Sequence, residues 1–273
     1  MRVDNKPENK KQLRCREITS YEEIAMNAFP AICSELYDGW TLRYTGGYTF
    51  RGNSVNPIYP SSINLEEKIL ECESRYLEQE LPCVFKMTEV VEEGLDLVLE
   101  KCGYEIQKEA DIMTMQLDNA IVRGEYAEEN NVSDEVMIDN HATEEWLDSF
   151  VTLNGTEDEP MKSIAKEVLC KIQNPIFCAG IYKNGEMVAC GLGVFERGKL
   201  GLFDVRVLDQ YRRFGLGTKI CKQIINEGKK HGAKEAYLQV ASMNESAIKL
   251  YEKLGFTKAY TYWYRVKGGT EVI

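Results

Sequence analysis

The sequence predicts an α/β (α+β) fold in two tandem domains, each a mixed, mostly antiparallel twisted sheet flanked by helices. Three observations lead there. Apolar strand-like runs follow one another through strong turn signals between Pro175 and Val207. The glycine-bearing loop Arg212-Arg213-Phe214-Gly215-Leu216-Gly217 then joins the last of them to an amphipathic helix. The first half of the chain echoes this pattern in weaker form.

In the C-terminal half, Glu135 to Ile138 reads as a first strand, and Glu144 to Leu153 and Met161 to Ile172 as two helices. Pro175 to Tyr182 is an apolar strand. Asn184-Gly185 is a strong hairpin signal, and Met187 to Phe195 returns as its partner. Glu196 to Lys199 turns the chain again, and Leu200 to Val207 completes a meander. Leu216, Ile220 and Ile224 recur at helical spacing, and Lys229, Lys230, His231 and Gly232 end that helix. Ala236 to Val240 is a strand parallel to Leu200–Val207, because a helix crosses between them. Ser242 and Glu245 suggest a capping box for a helix ending at Gly255. Phe256 onward, through Tyr260 to Val266, reads as closing strands.

The N-terminal half shows strands at Trp40 to Tyr44 and Tyr48 to Arg51, a helix at Leu65 to Gln79 and a strand at Cys83 to Met87. Glu100-Lys101-Cys102-Gly103-Tyr104 then aligns with Glu252-Lys253-Leu254-Gly255-Phe256, and Ile112 to Leu117 would close the sheet. The expected division is a disordered tail over 1–14, an N-terminal domain over 15–120, a linker over 121–131 and a C-terminal domain over 132–273.

Composition narrows the function. A net charge of −11 over 273 residues argues against nucleic-acid binding, which needs clustered Lys and Arg. It suits a neutral or cationic substrate, or plain solubility. The nine cysteines form no Cys-x-x-Cys pair and only two histidines are present, so no metal site is expected. Scattered unpaired thiols fit a reducing, cytoplasmic setting. Residues 1–12 lack the apolar core of a signal peptide, and no apolar run reaches transmembrane length. No membrane or nucleic-acid partner is expected, and the chain would be a monomer or a homodimer.

The loop at 212–217 carries the chemistry. Its glycines let the chain turn tightly with bare N–H groups, and the helix adds its positive dipole end, a setting suited to a pyrophosphate. A tight turn before a helix is the structural alternative. A Walker loop needs Gly-Lys-Ser/Thr, whereas Thr218-Lys219 run in the wrong order. A dinucleotide fingerprint needs a third glycine where Ile220 stands.

Val207-Leu-Asp-Gln-Tyr211-Arg212-Arg-Phe-Gly215-Leu-Gly217 and Asn244…Ala247…Tyr251…Leu254-Gly255-Phe256 resemble the two signature segments of the GCN5-related N-acetyltransferase (GNAT) family. The resemblance covers roughly the last half of the chain. It implies acetyl-CoA as acyl donor. Backbone amides of Arg213, Phe214, Gly215, Leu216, Gly217 and Thr218 would hold the diphosphate, with Arg212 adding charge. Val205 and Val207 would offer main-chain groups to the pantetheine. Asn244, Ala247 and Tyr251 share a helical face, the first two as cofactor contacts and Tyr251 as proton donor to the departing thiolate; a core tyrosine bonded to main chain is the alternative. Asp204 is the candidate base, with Arg206 beside it; both could instead pair with neighbours. Glu196 would be solvated, and His141 lies where an acceptor contact or a plain surface histidine would. The acceptor would be an amine of a small molecule or peptide, attacking directly in a ternary complex. A longer acyl donor also fits the motifs. An acyl-CoA-binding sensor or scaffold without turnover is the alternative from another class.

The N-terminal copy lacks this chemistry. Its loop region reads Gly52-Asn-Ser-Val-Asn-Pro57-Ile-Tyr-Pro60, and prolines donate nothing. Leu99 stands where Tyr251 stands. The run Gly47-Tyr-Thr-Phe-Arg51-Gly-Asn53-Ser54 resembles one in bacterial tandem acetyltransferases. It implies that Arg51 and Asn53 shape a substrate pocket; an asparagine-stabilised turn is the alternative.

Overall fold

The computed structural model describes residues 7–117 and 135–267. In chain order come α1 (Pro7–Ala28), β1 (Cys33–Tyr37), β2 (Trp40–Tyr44), β3 (Val55–Asn56), α2 (Leu65–Glu78), β4 (Val84–Thr88), α3 (Leu95–Lys101) and β5 (Tyr104–Gln116). Then follow β6 (Met137–Asp139), α4 (Glu144–Leu153), α5 (Glu159–Cys170), β7 (Ile176–Lys183), β8 (Glu186–Glu196) and β9 (Lys199–Val207). The chain finishes with α6 (Leu216–Lys230), β10 (Glu235–Ala241), α7 (Glu245–Leu254) and β11 (Thr257–Lys267). The mixed α/β architecture is as expected.

Two compact units divide the chain. Unit 1 is Met1–Glu109 with Tyr260–Ile273; unit 2 is Ala110–Ala259. Each unit therefore takes a strand from the far half of the sequence. In unit 1 the strand order is β1-β2-β3-β4-β11, with β11 antiparallel to β4 from Tyr262↔Thr88 to Val266↔Val84. In unit 2 it is β5-β10-β9-β8-β7-β6, with β5 antiparallel to β10 from Glu235↔Gln116 to Ala241↔Ala110. The linker expected over 121–131 lies outside the described residues.

Local signals account for unit 2. Asn184 (φ +53°) and Gly185 (φ +84°) make the β7–β8 turn in the left-handed geometry that a tight hairpin needs. The glycines at 191 and 193 on β8 let α6 lie close: a Cβ at Gly193 would stand 2.5 Å from Cγ2 of Ile224. Leu216, Ile220, Ile224, Phe177, Leu202 and Leu238 share the resulting core. Asp158, not a residue nearer Met161, caps α5, so that helix starts two residues early. Asn244 caps α7, while the Ser242 hydroxyl bonds Asp111 at 3.1 Å, so the expected Ser242–Glu245 capping box does not form. One closing strand, β11, replaces the expected several.

Unit 1 departs further from expectation. The helix α1 begins at Pro7 and so takes in half of the tail expected over 1–14; Ile18, Tyr21, Ile24 and Ala25 bury its later turns. The hairpin pairs β1 with β2 around Asp38-Gly39, whose backbone is left-handed. Tyr48–Arg51 forms turns rather than a strand, because Asn53 organises them: its Oδ1 accepts the N–H of Thr45 (2.7 Å) and of Gly47 (3.2 Å), and its Nδ2 donates to Thr49 O (3.0 Å). The asparagine-stabilised turn is thus present, and Arg51 lies over the Phe29 ring at 4.5 Å. Trp40, Phe85, Tyr76 and Leu99 form the apolar core on one face of this sheet.

Candidate acyl-donor site

The site is built where β9 runs into α6. A short 3-10 turn, Asp209–Tyr211, leads into Arg212. Arg213 (φ +67°) and Gly215 (φ +79°) both adopt the left-handed region, and the helix begins with no side-chain cap. The first helical bond is Lys219 N–H to Gly215 O (3.0 Å). Every main-chain N–H from Arg213 to Thr218 lacks an acceptor among the described residues. Such a run of donors at a helix start is an oxyanion cradle. Leu216 sends its side chain into the core, so only its N–H is available. Phe214 is exposed. Arg212 is tied back, pairing with Asp209 (2.7 Å) and donating from Nε to Val207 O (3.3 Å). A Cβ at Gly217 would meet Leu250 at 3.4 Å and Val207 at 3.6 Å, ordinary contacts that a longer side chain would exceed.

Beside this loop the parallel strands part. The β9–β10 register ends at Leu202↔Leu238, although β9 continues to Val207 and β10 to Ala241. Across β9, Leu208 N–H bonds Val188 O (2.9 Å) while Val207 stands opposite Ala189 and Arg206 opposite Cys190. By antiparallel alternation the main-chain groups of Val207 face away from β8, toward the opening, while Val205 lies in the irregular stretch opposite Gly191. Both valine side chains pack on the core. The β8–β9 ladder is irregular between Cys190 and Leu192, and opposite it Asp204 has φ +48°. That bulge breaks the simple alternation of Asp204 and Arg206 expected from the sequence; Asp204 is half-buried and Arg206 exposed. No sequence signal marks the bulge, since Asp204 stands in an otherwise alternating strand pattern between Phe203 and Val205.

Across the opening, α7 presents Tyr251. Its ring meets Phe256 edge-on at 6.0 Å, and its hydroxyl has no hydrogen bond among the described residues. Burial first, then Cys221 and Asp204, push its ionisation well above that of an ordinary phenol. Asp204 also acts on the buried Cys190 thiol, raising it after burial, so Tyr251, Asp204 and Cys190 share one electrostatic neighbourhood. Asn244 spends its Oδ1 on Ala247 N–H (3.2 Å) and Ser246 Oγ–H (3.1 Å). Of the remaining candidates, Glu196 is bonded to Asn174 (3.1 Å) and Arg197 rather than solvated, and His141 is exposed beside Asn140. Among the described residues no cluster suits a metal ion, and no helix is long and apolar enough to cross a membrane.

The mixed α/β fold, with a splayed parallel pair beside bare amides at a helix start, is that of the GNAT N-acetyltransferases. The comparisons agree. The chain belongs to the acetyltransferase family described as "Probable histone acetyltransferase Rv0428c C-terminal", which it matches over residues 15–265. It is 28% identical to an uncharacterised N-acetyltransferase, YobR, of Bacillus subtilis over 253 residues, covering 92% of this chain and 99% of that one. A GCN5-related N-acetyltransferase from Kribbella flavida superposes with a TM-score of 0.65 at 16% identity, covering 94% and 96% of the two chains. A tandem GNAT protein from the clavulanic acid biosynthesis pathway shares the fold with a TM-score of 0.62 at 11% identity, over 92% and 88%. The protein is an N-acetyltransferase.

Proposed function

We propose that the protein moves an acetyl group from acetyl-CoA to the amine of a small molecule or peptide within a ternary complex, and that only unit 2 binds the thioester. The observation that carries this reading is the unbroken run of unpaired N–H groups from Arg213 to Thr218 beside the parted ends of β9 and β10. The diphosphate lies on those amides, and the pantetheine amides take the main-chain groups of Val205 and Val207. Asn244 Nδ2 and the Ala247 turn border the thioester arm.

The amine nitrogen attacks the thioester carbonyl. A C–N bond forms, and a main-chain N–H of β9 stabilises the oxyanion. Asp204 takes the ammonium proton directly or through water. As the C–S bond breaks, Tyr251 gives its hydroxyl proton to the thiolate and is reprotonated from solvent. The elevated ionisation of Tyr251 supports this, because the phenol stays protonated while thiolate forms. Unit 1 offers Pro57 and Pro60 where unit 2 has its glycine bend, which supports a single thioester site. A thiol-release assay with acetyl-CoA across an amine panel tests the reading. Tight acetyl-CoA binding with no release above background for any amine would make the protein a sensor instead.

A further inference from the structure

Unit 1 has a second face that its fold does not explain. One face of its sheet carries the apolar core around Trp40, Phe85 and Leu99. The opposite face, under α1, is buried yet polar. The register Val55↔Phe85, with Tyr264↔Lys86, sets Asn56, Lys86 and Tyr264 in one row across β3, β4 and β11. All three are less than a tenth exposed. Lys86 is ion-paired to Glu22 of α1, which also accepts the Tyr260 hydroxyl at 2.8 Å. Lys86 therefore serves neither neighbour in its row. Asn56 Oδ1 on one side and the Tyr264 hydroxyl on the other are buried without a partner among the described residues. So is the hydroxyl of Thr49, in the turn that leads to β3.

Two buried cations, Arg43 and Lys86, share one buried carboxylate, Glu22, on this face. Arg43, 4% exposed, donates to the carbonyls of Met26, Phe29 and Arg51 and meets no carboxylate. Glu22 is ion-paired to Lys86 and reaches Arg43 only through its longer-range field, so the Arg43 guanidinium has carbonyls and no carboxylate as hydrogen-bond partners. Burial draws the Arg43 ionisation down to about 10, against the opposing pull of Tyr264, Tyr76 and Glu22. An orphaned acceptor, an orphaned hydroxyl and a guanidinium bonded to carbonyls alone are together costly in a closed core. They are complementary to a ligand that brings a hydrogen-bond donor, an acceptor and one negative charge. Asn56 and Tyr264 are two strand spacings apart, about 10 Å, a span that a molecule of a few heavy atoms bridges. At one end of the row Phe50 lies against Tyr264 at 5.1 Å, and the exposed Lys108 lies over the Phe50 ring at 4.1 Å, so one ring separates Tyr264 from the surface.

We infer that unit 1 binds a small carboxylic acid bearing an O–H or N–H donor, a hydroxy acid or an amino acid, on the polar sheet face beneath α1, with Tyr264 and Asn56 as its hydrogen-bond partners and Arg43 as its counter-charge. This site lies within unit 1 and does not depend on the acetyl-transfer reading.

The full-length protein tests it by calorimetry and thermal melting against lactate, malate, glycine, glutamate and inorganic phosphate. A saturable rise in melting temperature with at least one of the acids is expected. Tyr264→Phe, which only deletes an unpartnered hydroxyl, should melt no lower than wild type without ligand, bind that acid at least tenfold more weakly, and keep its affinity for acetyl-CoA. Asn56→Ala provides the same comparison if Tyr264→Phe does not fold. The proposal is overturned by no saturable response to any acid, by a response to phosphate alone, or by undiminished acid affinity in the folded variant.

Discussion

Tyr251 and Gly217 are the residues at which the chemistry can be tested most sharply. Tyr251 is half-buried and its hydroxyl has no hydrogen bond among the described residues, so removing it leaves no broken hydrogen bond behind. Tyr251→Phe should therefore lower kcat by about 100-fold, within the usual range for a lost general acid, with little change in acetyl-CoA affinity. The sign of the pH effect follows from the raised ionisation. A donor works while protonated and fails as pH climbs through its folded pKa, which here lies above the ordinary phenol value of about 10. The wild-type to Tyr251→Phe ratio of kcat should thus be flat from about pH 6 to pH 9; a ratio that collapses inside that window removes Tyr251 from the proton-donor role. Gly217→Glu places a carboxylate against the diphosphate amides and should weaken acetyl-CoA by at least about 100-fold, or about 2.8 kcal/mol. Gly217→Ala, whose Cβ makes only ordinary contacts, should bind nearly as wild type. Calorimetry on the pair separates charge from bulk: equal losses would mean that packing alone, not anion binding, governs the loop.

At the level of elements, the site depends on how closely α6 lies on β8 and β9. Gly191 and Gly193 of β8 leave room for Ile220 and Ile224, and Gly228 of α6 leaves room for Leu200. Gly193→Ala would set a Cβ at 2.5 Å from Ile224 and 3.0 Å from Phe177, and is expected to destabilise by about 1–3 kcal/mol in urea unfolding. A neutral substitution would show that α6 can shift, and with it the amides at its start. Elements of this kind are legible in sequence because their signals are local: the Leu216–Ile220–Ile224 spacing, the Asn184-Gly185 turn and the glycine bend each act within one turn or hairpin. Where burial is not periodic the reading fails. The strand β1 is exposed along Cys33–Leu36, so no alternation betrays it, and the polar opening of α1 conceals a helix whose apolar residues come later. The bulge at Asp204 is illegible for a different reason, since it is imposed by the ladder with β8 rather than by its own residue type.

Across the whole molecule the sequence order and the folded units do not coincide. Unit 2 closes with Ala110–Gln116 from the first half of the chain, where Asp111 meets Ser242 (3.1 Å) and Lys258 (2.8 Å). Unit 1 closes with Tyr260–Lys267 from the far end, where Arg265 grips Asp96 through Nε (2.9 Å) and Nη2 (2.7 Å). A strand pairing between residues so far apart leaves no mark in either segment, because each reads simply as a strand whose partner is unspecified. A cut at the apparent linker therefore takes from each half the strand that completes it. A fragment spanning 132–273 would leave β10 as a bare edge and carry Tyr260–Lys267 without β4, exposing main-chain donors and acceptors in both places. It should be aggregated or unfolded by circular dichroism and fail to bind acetyl-CoA. A fragment spanning 110–259 keeps unit 2 whole and should melt cooperatively and bind acetyl-CoA within about tenfold of the full chain, a difference of about 1.4 kcal/mol. If the 132–273 fragment instead folds and binds as well as 110–259, the exchanged strands contribute nothing essential, and each sequence half is the independent domain that its repeat pattern suggests.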